Sequence, residues 1–425
     1  MGILPCHLSC HRDDESQSGS SHLHSESSTS SISSQPSLPS VPSLTSSSSQ
    51  RLEQTPTIHQ KCIATLKGNS YVFSLALSGK ILYTGSSNGE IRAWSQDSSD
   101  QDTPVDNIVA TSNSAVKSLL VLGDKLLSAH QDNKIRIWKI SNHLQQKYKC
   151  IATVPTMNDR FLRCFSEKNY VQVRRHKKST WVHHVDTVSA LALSIDRSLL
   201  YSASWDRTFK IWRTSDFKCL ESVQNAHDDA INAIVLSKDG FVYTGSADKK
   251  IKVWKKHAGE KKHLLVETLE KHKSAVNALA LSDDGTILYS GACDRSILVW
   301  ERENSVKEGG DRHMVLVGAL RGHNKAILCL AVVADLICSG SADRTVRIWR
   351  RGIDKSYSCL TVLEGHRKPV KCLSAAVVDD NTYTKDDSQP DTTYMVCSGS
   401  LDYDIKVWQL WTPVFFSNSY GFVQK

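Results

Sequence analysis

Five sets of residues that could form a hydrolytic triad recur along this chain of 425 residues. Each set has a histidine, a serine or threonine, an aspartate and a tryptophan, and the sets are His184, Ser202, Asp206 and Trp212; His227, Thr244, Asp248 and Trp254; His272, Ser290, Asp294 and Trp300; His323, Ser339, Asp343 and Trp349; and His366, Ser398, Asp402 and Trp408. A hydroxyl nucleophile, a histidine base and an orienting aspartate are the groups of acyl-transfer chemistry. A triad needs one nucleophile in one cleft, whereas five copies indicate a repeated internal task. The repetition predicts no catalytic residue.

Short β-strands must position these side chains. Seven segments that read as strand, tight turn and strand end in an aligned tryptophan, at Trp94, Trp138, Trp212, Trp254, Trp300, Trp349 and Trp408. An alternating run such as AVNALALS precedes each segment, and a further run such as CLESV follows most of them. Four antiparallel strands in about 40 to 45 residues are the period of a propeller blade.

On these seven repeats, the chain resembles the WD40-repeat β-propellers. The resemblance covers residues 58–415 and implies an all-β, seven-bladed propeller, although the residue after each repeat-ending tryptophan is never aspartate. It further implies that the five sets form a buried hydrogen-bonded network within their blades. In blades one and two, Gly68 and Ser112 occupy the histidine position and Asn88 replaces the first aspartate, so we expect incomplete networks there.

Ring closure is predicted from a duplicated strand. KCIATL at residues 61–66 nearly repeats KCIATV at 149–154, the outer strand of the second blade. A strand placed before the first blade would complete the seventh blade and remove exposed sheet edges. The C-terminal QLWTPVFFSNSYGFVQK competes for the same place.

Propellers usually bind partners through loops on one face. Family alignment places ten residues there: Tyr71, Phe73, Lys117, Gln131, Trp205, Asn232, Asn277, Leu328, Lys371 and Leu401. Trp205 is distinctive because its counterparts in the other repeats are Ser87, Gln131, Ala247, Cys293, Ala342 and Leu401. An exposed tryptophan is a candidate interface anchor, and the alternative is that it covers the neighbouring blade.

A basic insertion, residues 157–186, separates blades two and three. It contains seven lysines and arginines against three acidic residues, so half of the formal net charge of +8 lies there. The run YVQV alternates like a strand, and DRFLRCF fits one helical turn. We expect the insertion to fold against the rim beside Trp205 and to present Arg174, Arg175, Lys177 and Lys178 to a partner. A nuclear import signal and a solvated loop are the alternatives.

The N-terminal residues 1–57 predict a disordered tail, because 18 of the 35 residues from Ser16 to Gln50 are serine. Those serines are equally consistent with phosphorylation sites and with an unmodified spacer. Residues 416–425 form a second tail. Gly2 permits myristoylation, but Cys6 stands where serine or threonine is preferred. The two cysteines and two histidines of CHLSCH lack the support that a metal site requires.

Composition predicts a soluble intracellular protein, cytoplasmic or nuclear, with reduced and mostly buried thiols. The hydrophobic fraction is 40% and the charged fraction 23%, and the twelve cysteines include no CxxC pair. The sequence has no run of 18 apolar residues. We expect a monomeric propeller with no cofactor or bound metal.

Within the propellers, the chain is most similar to the plant Jingubang-like group. The features that carry this are the Ser-rich leader, the seven repeats and the insertion KNYVQVRRHKK. The resemblance implies a non-enzymatic regulator of pollen germination and tube growth that binds transcription factors. A ubiquitin-ligase substrate receptor is an alternative that lacks the expected aspartate and arginine after the tryptophans. Salt-sensitive nucleic-acid binding is less favoured, because the basic patch is local.

Overall fold

The computed structural model describes residues 41–45, 58–95, 107–141, 147–157, 159, 170–174, 177–303, 313–352, 354–378 and 392–412. Contacts divide the chain into Met1–Pro42, of which only residues 41–42 are described, and Ser43–Lys425. The second unit contains every strand of the described residues. Most of the predicted N-terminal tail, and all of the predicted C-terminal tail at 416–425, lie outside the described residues.

Seven antiparallel sheets of four strands form the blades of a β-propeller, as the repeats predict. In order from the inner strand, blades one to three are β2 (Val72–Ser78), β3 (Ile81–Ser86), β4 (Glu90–Ser95) and β5 (Ile108–Thr111); β6 (Val116–Leu122), β7 (Lys125–His130), β8 (Ile135–Lys139) and β9 (Lys149–Val154); and β12 (Val188–Leu193), β13 (Leu199–Ser204), β14 (Phe209–Arg213) and β15 (Cys219–Val223). A separate two-stranded hairpin lies in the insertion, with β10 (Tyr170–Arg174) paired to β11 (Lys177–Thr180).

The remaining four blades repeat this arrangement. They are β16 (Ile231–Leu236), β17 (Val242–Ser246), β18 (Ile251–Lys255) and β19 (Leu264–Leu269); β20 (Val276–Leu281), β21 (Ile287–Ala292), β22 (Ile297–Arg302) and β23 (Met314–Leu320); β24 (Ile327–Val333), β25 (Leu336–Ser341), β26 (Val346–Arg351) and β27 (Tyr357–Leu363); and β28 (Val370–Val378), β29 (Thr392–Ser400), β30 (Asp404–Thr412) and β1 (His59–Lys67).

The hydrophobic core lies between neighbouring blades. The second strand of each blade is almost wholly buried because other blades cover both of its faces, and apolar clusters join one blade to the next. Blades approach so closely that a Cβ atom on Gly291 would lie 2.5 Å from Cγ2 of Ile327 in the next blade. A glycine at this position therefore permits the packing of blade five against blade six.

The ring closes through β1, which pairs with β30 from His59 opposite Trp411 to Lys67 opposite Asp404. This confirms the prediction from the duplicated KCIATL. The strand β1 is thus the outer strand of blade seven, so the N-terminal and C-terminal strands of the propeller belong to one sheet.

The nine cysteines in the described residues are free thiols, and five of them are buried. Burial raises the pKa of the Cys329, Cys338 and Cys397 thiols to about 12, which leaves them unreactive near neutral pH. No helix in the described part of the chain has the length and apolar character to cross a membrane. Within the same residues, no group of three or more His, Cys, Asp or Glu side chains is arranged to hold a metal ion.

Candidate functional site

Each inner strand carries a β-bulge at its second residue. The register shifts at this point in all seven blades, and the bulged residues are Phe73, Lys117, Ser189, Asn232, Asn277, Leu328 and Lys371. A bulge redirects a side chain away from the regular alternation of the strand. Six of these seven residues, all except Ser189, are among the ten that the sequence places on the binding face.

In blades three to five the bulged side chain joins adjacent blades. The Ser189 hydroxyl donates to the Ile231 carbonyl at 2.5 Å. The Asn232 amide donates to the Val276 carbonyl at 2.9 Å, and the Asn277 amide to the Ile327 carbonyl at 2.8 Å. In blade six the side chain of Leu328 is buried. Asn232 and Asn277 therefore join neighbouring inner strands, because a carbonyl of the next inner strand lies within their reach. A binding role for these two residues and for Leu328 stays a prediction.

In blades one and two the same position carries an aromatic ring and a cation. The Nζ atom of Lys117 lies 4.1 Å from the ring centroid of Phe73 and 5.6 Å from that of Trp205. Both distances are within cation–π range. Lys117 of blade two thus lies between aromatic side chains of blades one and three.

A second lysine repeats this arrangement on the other side of blade one. The Nζ atom of Lys368 lies 5.7 Å from the ring centroid of Tyr71 and 5.6 Å from that of Tyr403. The two tyrosine rings are 5.2 Å apart, and Tyr71 stacks on Phe73 at 6.4 Å. We call these residues the aromatic–lysine surface, and its members are Tyr71, Phe73, Lys117, Trp205, Lys368 and Tyr403.

The aromatic–lysine surface is accessible to solvent. Exposed fractions are 39% for Tyr71, 38% for Trp205 and 38% for Tyr403, which is high for large apolar side chains. Trp205 lies in the turn between β13 and β14, where its amide donates to the Thr187 carbonyl at 3.0 Å. The fixed backbone of this turn holds the indole outside the blade.

Sequence reasoning missed two members of this surface, Lys368 and Tyr403. Tyr403 has a φ of +75° in the turn between β29 and β30, at a position where other repeats have glycine, asparagine, lysine or arginine. A bulky aromatic residue is uncommon at positive φ, so this substitution was a detectable signal. Of the remaining predicted residues, Gln131 and Leu401 are half-buried at equivalent turn positions of blades two and seven, and Lys371 is half-buried at the bulge of β28.

The basic insertion contains two paired strands, β10 and β11, with basic residues at the end of the first and the start of the second. Arg174 at the end of β10 pairs with Lys177 at the start of β11, and Lys178 follows in β11. The strand predicted from YVQV is confirmed, whereas Arg175 and residues 160–165 of the predicted helical turn at DRFLRCF lie outside the described residues. The partner-binding role of these four basic residues stays a prediction.

Both ends of the insertion are attached to blade three. Asp159 is buried, and its carboxylate accepts from the Cys219 amide at 2.9 Å. At the other end, the Lys210 ammonium donates to the Trp181 carbonyl at 2.6 Å. The sequence expectation that the hairpin rests on the rim beside Trp205 stays a prediction.

The five histidine sets form the same hydrogen bonds in blades three to seven. Nδ1 of each histidine lies 2.8 to 3.1 Å from an aspartate oxygen, and Nε2 lies 2.8 to 2.9 Å from the serine or threonine hydroxyl. The tryptophan indole donates to that hydroxyl at 2.9 Å. All five hydroxyl residues have no exposed surface, so none can act as a nucleophile toward a substrate in solvent.

Electrostatics within these sets stabilise charged aspartates. Burial alone would raise the pKa of Asp248, but the hydrogen bond and charge of His227 lower it to about 2. Against the same effect of burial, their partners hold the pKa values of the other four aspartates below the ordinary range, namely Asp206, Asp294, Asp343 and Asp402. Such a satisfied buried network makes each turn rigid and thereby fixes the side chains beside it.

Blade two forms a related network around a different histidine. The imidazole of His130, at the end of β7, lies 2.7 Å from the Ser128 hydroxyl and 3.2 Å from the Ser112 hydroxyl. Trp138 donates to Ser128 at 2.8 Å. Burial, with a smaller effect of Arg136, lowers the pKa of His130 to about 4. This network has its histidine in the strand rather than in the loop, and it lacks the aspartate of the other sets because Asp132 pairs with Arg136.

Blade one keeps only part of the pattern. The Trp94 indole donates to the Thr84 hydroxyl at 3.1 Å, while Gly68 stands at the histidine position and its amide donates to the Tyr403 carbonyl at 2.9 Å. Asn88 accepts from the Ser86 hydroxyl at 2.8 Å. This blade carries Tyr71 and Phe73 at the centre of the aromatic–lysine surface.

Two cavities lie away from this surface. One of about 380 Å³ is lined by residues of blades five and six, among them Tyr289 and Arg351. Another of about 630 Å³ follows the outer strand of blade two, beside Cys150 and Met157. Neither is lined by a member of the aromatic–lysine surface.

The repeats match a model for one protein family, described as WD domain, G-beta repeat. The match covers residues 60–95, 175–213, 217–255, 264–301, 314–350 and 357–409, which together are more than half of the chain. The chain belongs to the WD-repeat family. This family is generally a non-enzymatic scaffold fold whose members bind other proteins. The matched segments of this WD-repeat protein leave out blade two, in which the histidine of the network lies in strand β7.

Two curated relatives come from Arabidopsis thaliana. Protein ROOT INITIATION DEFECTIVE 3 is 32% identical over 203 residues, which are 44% of this chain and 44% of the relative. Autophagy-related protein 16 is 29% identical over 206 residues, which are 46% of this chain and 37% of the relative. The similarity thus spans less than half the length of these relatives.

Among solved structures, the WD40 β-propeller domain of Doa1 aligns with a TM-score of 0.58 and 21% sequence identity. The alignment covers 82% of this chain and 96% of the Doa1 domain. At this level of identity, the likeness shows the fold alone.

Proposed function

We propose that this WD-repeat protein is a non-enzymatic scaffold that holds a protein partner on the aromatic–lysine surface. One observation carries the proposal: Lys117 lies between the rings of Phe73 and Trp205, and Lys368 lies between the rings of Tyr71 and Tyr403. Rigid, exposed aromatic side chains lose little conformational entropy on binding and are frequent anchors of protein interfaces.

The chemistry of the surface favours a partner segment that is both acidic and apolar. Two ammonium groups attract carboxylates, while three exposed rings offer apolar area on either side of them. Segments that combine acidic and hydrophobic residues are typical of the activation regions of transcription factors. This agrees with the partner class that the resemblance to the Jingubang-like group implies.

The biological part of the proposal rests on that resemblance. The Ser-rich leader, the seven repeats and the basic KNYVQVRRHKK insertion support a plant regulator of pollen germination and tube growth. Binding of transcription factors would take place in the cytoplasm or the nucleus. The basic residues Arg174, Arg175, Lys177 and Lys178 supply either a second contact with the partner or a nuclear import signal.

Affinity capture tests the proposal. Full-length protein is compared with the double variant Lys117→Glu/Lys368→Glu, which reverses both cations of the surface. The matched control is Lys261→Glu/Lys262→Glu, which makes the same change of charge at exposed lysines of blade four. We expect the first variant to lose partners that the control retains, with nuclease treatment of the lysate making no difference.

Two results would contradict the proposal. If both double variants capture the same proteins as the wild type, the aromatic–lysine surface is not the binding site. If nuclease treatment removes the captured proteins, the contact is with nucleic acid. Partners that prove not to be transcription factors would reject the biological part alone.

A further inference from the structure

A short N-terminal segment lies in the groove between the outer strands of blades five and six. The Leu44 amide donates to the Ala319 carbonyl of β23 at 2.9 Å, and the Tyr357 amide of β27 donates to the Leu44 carbonyl at 3.4 Å. Ser43 and Thr45 form parallel bridges with Ala319 and Tyr357, respectively. One extended residue is thus hydrogen-bonded to two blades at once.

The side chain of Leu44 fits the apolar character of this groove. It is half-buried against the cluster that joins blades five and six, which includes Tyr289, Leu320, Trp349 and Tyr357. Two of these residues already link the blades, since the Tyr289 and Tyr357 hydroxyls are 3.2 Å apart. Leu44 therefore covers apolar surface at the boundary between blades five and six.

The backbone of the groove is also suited to an extended peptide. Outer strands of blades present unpaired amides and carbonyls at a sheet edge, and an added strand can satisfy them. Ser43 and Thr45 flank the leucine, and their hydroxyls lie 2.8 Å apart, facing each other rather than the apolar cluster. The groove thus offers one apolar site for a leucine side chain, and the polar edge of the sheets suits the hydroxyl residues on either side of that leucine.

The length of the chain allows this segment to reach the groove from its own propeller. Thirteen residues separate Thr45 from His59, the first residue of β1, and they can span up to about 45 Å. The start of β1 lies beside blade six, because the Thr361 hydroxyl of β27 donates to the Gln60 side chain at 2.6 Å. A segment tethered so closely has an effective concentration on the order of millimolar.

From these contacts we propose that the groove between blades five and six is a peptide-docking site, and that Ser43–Leu44–Thr45 is its resident occupant. We call this segment the clasp, because it anchors the Ser-rich leader to the propeller and covers the apolar boundary between blades five and six. This site is separate from the aromatic–lysine surface, which involves blades seven, one, two and three.

Amide hydrogen exchange of the full-length protein tests the clasp. Leu44→Asp removes the apolar contact, and we expect exchange at the Tyr357 amide to become about tenfold faster or more. The matched control is Leu220→Asp, because Leu220 is an exposed leucine on the outer strand of blade three. The control should leave Tyr357 protected, and unchanged melting of both variants would show that the ring is intact.

A synthetic peptide with the sequence of residues 39–47, added in millimolar excess to Leu44→Asp protein, should restore protection of Tyr357. The same peptide with aspartate in place of leucine should not. Unchanged exchange in Leu44→Asp, or a failure of the wild-type peptide to restore protection, would overturn the proposal. Faster exchange at Tyr357 in the Leu220→Asp control would also overturn it, because the effect would not be specific to the groove.

Discussion

The ammonium group of Lys117 lies 4.1 Å from the centre of the Phe73 ring in the neighbouring blade. Both residues occupy the bulge of their inner strands, where blades three to five have side chains that hydrogen-bond to the next blade. The ring therefore uses one repeated position for two purposes. In blades three to five the side chain at this position joins neighbouring blades. In blades one and two it presents an aromatic or a cationic group to solvent.

Replacing a histidine of the repeated network should destabilise the propeller. His272→Ala leaves the Ser290 hydroxyl and the Asp294 carboxylate without their buried partner, which should cost roughly 2 kcal/mol or more. Ser112→Ala should cost less, because Ser112 contributes one contact of 3.2 Å to His130. Thermal melting compares the two variants, and equal shifts would contradict the network as a source of stability.

Blade two offers a test by exchange of positions. His130→Ser should destabilise the protein, and adding Ser112→His should recover part of the loss by restoring the arrangement of the other blades. Recovery should be incomplete, because Asp132 is held by Arg136 at 2.6 Å and is not free to accept from the new histidine. Urea unfolding measures both variants. A double variant no more stable than His130→Ser would show that the two arrangements are not equivalent.

His130 should also make stability depend on pH. Burial lowers its pKa from the ordinary 6.5 to about 4, so the unfolded chain takes up a proton between these values while the folded protein does not. Stability should therefore fall as pH decreases from 6.5 to 4, by about 3 kcal/mol from this residue. Urea midpoints across this range should decline less in His130→Ser. Parallel curves for variant and wild type would contradict the assignment.

The fold was predictable because each blade repeats its local signals. Seven tryptophan-ended hairpins and the duplicated KCIATL together predict the blades and the closing strand. The position of His130 was not predictable from alignment, since the sequence marks it only as a histidine where other blades have serine or a small residue. Its role depends on the distance between a loop and a strand, which repeat spacing does not contain.

The candidate site was predicted in part. Tyr71, Phe73, Lys117 and Trp205 were expected on one face, but the contacts of Lys117 with Phe73 and Trp205 join residues of different blades, and repeat spacing does not contain such distances. Asn232 and Asn277 were assigned to the same face from equivalent positions. Their amides reach a neighbouring carbonyl because the bulge directs them along the ring. The position of a residue in the repeat predicts the face that its side chain approaches, whereas its hydrogen-bond partner depends on the adjacent blade.

The basic hairpin provides a prediction of its own. Changing Arg174, Arg175, Lys177 and Lys178 to glutamate should weaken partner capture if these residues contact an acidic partner. Affinity capture and imaging of the tagged protein measure binding and localisation together. Partners lost only because the protein is excluded from the nucleus would instead indicate an import signal. Unchanged partners with normal folding and localisation would reject these four basic residues as a binding element.

The most direct test of the account is the affinity of a captured partner for the Trp205→Ala variant. Trp205 is 38% exposed beside Lys117, so its loss should weaken binding by about tenfold or more while leaving the melting temperature nearly unchanged. Leu265→Ala is the control, because Leu265 is 47% exposed on the outer strand of blade four. Titration of the purified partner should show weaker binding for Trp205→Ala alone, and equal dissociation constants for all three proteins would contradict the aromatic–lysine surface as the binding site.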